Sequence, residues 1–123
     1  MIRTRLESMP VKQLAERFVE ICIAQDEALL EDELRKFNRL FDQMQTVLNE
    51  LKNRDGDQRR ALLSLYDHPN MQVRLKAAKA TLAIAPEAAL HALQEIRESR
   101  HYPQAGEAGM SLWNLERGVY KPT

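Results

Sequence analysis

The sequence predicts an all-α protein, a stack of about three antiparallel helical hairpins. Three observations predict it. Apolar residues recur at helical spacing along most of the chain, and no stretch alternates with period two over the length of a strand. The breaks, at Asp55-Gly56-Asp57, Asp67-His68-Pro69-Asn70, Pro86 and Pro103, leave connections of a few residues, which join antiparallel neighbours. At 123 residues with 44% apolar side chains, four Gly and five Pro, the chain suits a single domain over residues 1–123 and lacks the composition of a disordered segment.

Within that domain, residues 1–56 read as an N-terminal hairpin with a long second helix, 57–85 as a second hairpin and 86–118 as a third, degraded one. Ser8 and Pro10 mark the first helix, expected over residues 9–25, where Val11, Leu14, Ala15, Phe18 and Cys22 keep the i, i+3, i+4 rhythm. The second is expected over 31–54. Leu30, Leu34, Phe37, Phe41, Met44, Leu48 and Leu51 alternate steps of four and three, and the acidic opening Glu31-Asp32-Glu33 with the basic close Lys52 and Arg54 suits a helix macrodipole. Such a stripe also fits a coiled-coil dimer. A short chain needs its best stripe for its own core, which favours internal packing.

Gly56 can end that helix and Asp57 can cap the next, a short helix over 58–66. After the Pro69 turn, Asn70 can cap a fourth helix over 71–85, where Ala77, Ala78, Ala80 and Ala83 permit close approach. Pro86 opens a fifth helix over 87–99. Pro103 opens a last one carrying Met110, Leu112, Trp113 and Leu115, closed by Gly118. Phe37, Phe41, Leu65, Leu82 and Leu93 are expected to share one dry interior.

The segment His68-Pro69-Asn70-Met71-Gln72-Val73-Arg74, continuing through Leu75-Lys76-Ala77-Ala78-Lys79-Ala80-Thr81-Leu82, resembles the second half of a HEAT repeat. A weaker echo begins at Pro103, 34 residues after Pro69, with Gly106 and Ala108 where Val-Arg would stand. More closely, residues 57–96 and 103–115 resemble a family of short bacterial proteins of unknown function with HEAT-like architecture. The resemblance implies a HEAT-like or armadillo-like stack, a right-handed α-α superhelix. It implies no activity and no catalytic residues.

Composition narrows the function. Eighteen basic and eighteen acidic residues give no net charge to draw the chain to nucleic acid or an anionic membrane. Locally, residues 1–57 hold 9 basic and 12 acidic side chains (net −3), and residues 58–123 hold 9 and 6 (net +3). A single cysteine, Cys22 in an apolar run, and charges interleaved through the first thirty residues fit a soluble, cytoplasmic protein without a membrane segment. His68, His91 and His101 show no metal-ligand spacing, and Gly106-Glu107-Ala108-Gly109 lacks the sheet that a nucleic-acid GxxG clamp needs. No cofactor or metal is expected.

Asp67 and Arg74 read as a structural turn, the acid capping backbone N–H groups and the arginine bridging to carbonyls or acids. Arg59 and Arg60 stand at a helix start, where the dipole disfavours cations. With Gln72, Lys76 and Lys79, spaced along one side of the fourth helix, they make up a candidate interaction surface, a shallow basic patch. No nucleophile, base and stabilising group converge, so an enzyme is not expected. The reading is a protein-binding module, a scaffold or an immunity-like mask for a partner protein, with nucleic-acid backbone binding through the basic patch as the alternative.

Overall fold

The structure, a computed structural model, describes residues 6–123, and every regular element among them is helical. The order is α1 (Val11–Leu30), α2 (Leu34–Asn53), a 3-10 helix (Gln58–Asp67), α3 (Met71–Ala80), α4 (Pro86–Ser99) and α5 (Gln104–Glu116). The chain forms two compact units, Met1–Ala61 and Leu62–Thr123. Their boundary falls inside the 3-10 helix, beyond the break expected at Asp55-Gly56-Asp57.

In the first unit, α1 and α2 pack together as a hairpin. Leu14, Phe18, Ile21, Gln25 and Ala28 are the buried stripe of α1, in steps of four and three, with Cys22 beside it. The helix runs five residues past the expected end at Gln25. What stops it is Asp32, left-handed at φ 58°, with the Glu33 N–H bonded to the Ala28 carbonyl (2.8 Å) and the Asp32 N–H to that of Leu29 (3.3 Å). This is the closing turn usually built on glycine, here built on an aspartate, one of the few side chains that tolerates the region. Glu31-Asp32-Glu33 is therefore the turn between the helices, and α2 begins only at Leu34. On α2 the buried residues are Met44, Val47 and Leu51, while Phe41 is 38% exposed. Phe41 thus stays outside the dry interior expected for it. Arg54 then ties the end of α2 to the chain start, its guanidinium donating to Glu50 (2.8 Å) and to the Leu6 carbonyl (2.9 Å).

The segment after Gly56 (φ 79°) and Asp57 (φ 53°) winds with 3-10 pitch, which aligns side chains three apart. Arg59 and Leu62 are buried on that line, with Leu65 half-buried.

In the second unit, α4 packs against both α3 and α5. Asn70 caps α3, its Oδ1 accepting from the N–H groups of Gln72 (2.9 Å) and Val73 (3.2 Å). The helix ends at Ala80, five residues earlier than expected. The Thr81 hydroxyl bonds the Ala77 carbonyl (2.8 Å) and the Tyr66 hydroxyl (2.5 Å), and the chain turns through residues 81–84. Pro86 then starts α4. Leu75, Ala78, Leu82, Ala89, Ala92, Leu93, Ile96 and Ala108 form the core, with Tyr66, Met71, Leu90, Leu112 and Leu115 packed on it. Small residues on three helices let the backbones approach closely, so Leu82 and Leu93 do share an interior.

Candidate interaction surface

Around the Pro69 turn, the capping acceptors are His68 and Asn70. The His68 Nδ1 accepts from the Asn70 N–H (3.0 Å), while Asp67 is exposed. Arg74 reaches back from α3, its Nε donating to the His68 carbonyl. Asp67 and Arg74 thus belong to one turn, with the N–H capping expected of Asp67 carried by its neighbours.

The five residues expected to make a basic patch are differently employed. Arg59 is buried and forms a two-point ion pair with Asp57, Nε to Oδ1 at 2.9 Å and Nη2 to Oδ2 at 2.7 Å. The guanidinium hydrogen bond holds the Asp57 carboxyl below its ordinary value, against the opposing effect of burial. The dipole penalty at this helix start is therefore met by a carboxylate two residues away. Arg60 is exposed and donates to the Gly56 carbonyl (2.9 Å). Both arginines fasten the turn in the first unit.

Gln72, Lys76 and Lys79 lie together along α3 in the second unit, facing α5. Gln72 is buried and accepts from the Gln104 amide (2.9 Å). Lys76 and Lys79 converge on one oxygen of Glu107, each at 2.9 Å. The Lys76 side chain is only 7% exposed and that of Glu107 38%. Burial by itself would raise the Glu107 carboxyl, but the fields and hydrogen bonds of the two lysines outweigh it and hold it below its ordinary value. Instead of an open cationic face, these residues form a polar rivet between α3 and α5. Nothing in the sequence spacing names Glu107 as the partner of these lysines.

A different surface is open, and it lies on α5. The last helix has two apolar sides. Ala105, Ala108, Leu112 and Leu115 face the core, while Gly106, Met110 and Trp113, continued by Arg117, follow the 4-3-4 spacing of the outer face. Met110 and Trp113 are each 54% exposed. Adjacent residues such as 112 and 113 stand about 100° apart on a helix, so the turn that carries Leu112 and Leu115 inward sets Met110 and Trp113 outward. The Tyr102 ring covers Gly106, with ring carbons 3.7 and 3.8 Å from where a Cβ would stand. The Arg97 methylenes lie as close to Gly109, at 3.6 and 3.7 Å, and the Arg117 guanidinium sits 5.1 Å from the centre of the Trp113 ring.

Gly118 (φ 73°) closes α5, as the sequence indicates. Its N–H bonds the Leu115 carbonyl (3.2 Å) and that of Val119 bonds Asn114 (2.9 Å), and the exposed Val119 and Tyr120 follow directly. The surface is an aromatic and methionine strip with cations, Arg97 and Arg117, along it.

Among the described residues, no group of three or more His, Cys, Asp or Glu gathers in a way that could hold a metal ion, and no helix is long and apolar enough to cross a membrane. Cys22 is buried.

A family model described as a domain of unknown function, DUF2019, matches residues 12–116. The crystal structure of the protein RPA1889 from Rhodopseudomonas palustris CGA009 is similar over 96% of this chain and 98% of that one, with 51% sequence identity and a TM-score of 0.94. No curated protein matches the sequence.

Proposed function

The chain belongs to the DUF2019 family, and we propose that it is a non-enzymatic helical module that binds another protein through the outer face of α5. The observation that carries this reading is the exposure of Met110, Trp113 and Tyr102 on one strip, with Arg117 stacked on the indole. Trp, Tyr, Met and Arg are the residues enriched in protein interfaces and their energetic centres. We read the architecture as HEAT-like, on the resemblance of the turn and helix from His68 to Leu82. Arg97 and Arg117 select the partner's chemistry: a segment with apolar anchors and carboxylates beside them. An immunity-like role in a bacterium is one form of this reading, and a toxin gene beside the gene for this protein would support it.

The nucleic-acid alternative has less to stand on. Lys76 and Lys79 share Glu107, and Arg59 is matched by Asp57, so few of the expected cations remain to displace counterions from a phosphate backbone.

The test is affinity capture from the native host, then titration of the purified partner against wild type, Trp113→Ala and Arg60→Glu. Trp113→Ala should weaken binding about tenfold or more, as truncation of a central anchor does. Arg60→Glu should leave it unchanged. Equal affinity for wild type and Trp113→Ala, or a captured ligand that is nucleic acid, would overturn the reading.

A further inference from the structure

α2 carries more apolar surface than its hairpin buries. Met44, Val47 and Leu51 are buried. Beside them, Leu34 (70% exposed), Phe41 (38% exposed) and the half-buried Leu48 recur every seven residues, so they lie on one line along the helix. The exposed residues between them on that side are Asn38 and Gln45, both uncharged, whereas Arg35, Arg39 and Asp42 project about a quarter turn or more away. Charge returns only at the ends, with Glu31-Asp32-Glu33 before the helix and Lys52 in its last turn.

We propose that this flank binds a second copy of the chain, α2 against α2 in antiparallel register about a two-fold axis near Phe41. Two features of the strip select that occupant. Leu34 and Leu48 stand equally far from Phe41, so an isologous contact sets each leucine against the other's counterpart and brings Asn38 near Gln45. The charge is self-complementary only when the helices run in opposite directions. Then the acidic entry of each copy meets Lys52 of the other at both ends, and the macrodipoles also oppose. A parallel pair would stack acid on acid. Three apolar anchors per copy make a small interface, so the dimer should form in the micromolar range.

The test is sedimentation equilibrium of the full chain across that concentration range, with circular dichroism confirming that each variant is folded. Wild type should dimerise, and Leu34→Asp should raise the dissociation constant at least about tenfold. Glu31→Lys should also weaken the dimer, and Glu31→Lys combined with Lys52→Glu should restore it, a rescue that depends on antiparallel pairing. Trp113→Ala should leave it intact, so this proposal and the α5 reading fail independently. A wild type that stays monomeric, a dimer indifferent to Leu34→Asp, or a charge swap that fails to rescue would overturn the proposal.

Discussion

Replacing Glu107 with glutamine tests the polar rivet most directly, because one carboxylate oxygen serves both Lys76 and Lys79 at 2.9 Å. Leaving a fully buried charge without its counter-ion costs about 3–5 kcal/mol, while an exposed pair is worth about 0–1 kcal/mol. Lys76 is nearly buried, but Glu107 is 38% open to water and Lys79 is 34% exposed. Solvent screening therefore brings the expected loss to about 1–2 kcal/mol. For a chain of this size that lowers the melting temperature by about 4–10 °C. The assay is thermal unfolding by circular dichroism across pH. The lysines hold the Glu107 carboxyl of the folded chain below its ordinary, unfolded value. The stabilisation is thus fully present above the unfolded value and is lost as pH falls through the lower, folded one. The gap between wild type and Glu107→Gln should stay constant from neutrality to about pH 5 and close in stronger acid. A variant melting within about 1 °C of wild type at pH 7, or a gap that persists unchanged in strong acid, would refute the reasoning.

Three further outcomes are expected from unfolding measurements. Leu93→Ala, at a fully buried position in the second unit's core, should cost about 2.5–4 kcal/mol, whereas Met110→Ala on the exposed strip should cost less than about 1 kcal/mol. Asn70→Ala removes the acceptor for two N–H groups at the start of α3 and should cost about 1 kcal/mol. Asp57→Asn breaks the two-point pair with buried Arg59. It should destabilise at neutral pH and lose its effect in acid, because the wild-type carboxyl, held below its ordinary value by Arg59, is protonated as well once the pH falls through that lowered value.

Helix existence was legible because it follows from local chemistry. The spacing of Leu14, Phe18 and Cys22, the Asn70 cap, Pro86 in a first turn and the Gly118 closure each depend on residues within one or two turns. Boundaries failed where an uncommon residue took a common role. Asp32 in the left-handed region ended α1 without a glycine, and the Thr81 hydroxyl, engaged with Ala77 and Tyr66, marked the end of α3.

By itself, then, the sequence determined the all-α class, most of the helices, and the caps and turns that separate them. These are set by propensity and spacing between near neighbours. Only the tertiary structure decided which charges are spent and which surfaces stay open. Lys76 and Glu107 are 31 residues apart in the chain, and a lysine reads the same in sequence whether it faces water or a carboxylate. The same holds for Trp113 and Leu34: apolar periodicity records that a face is fit for burial, but what covers it depends on the elements that fold against it.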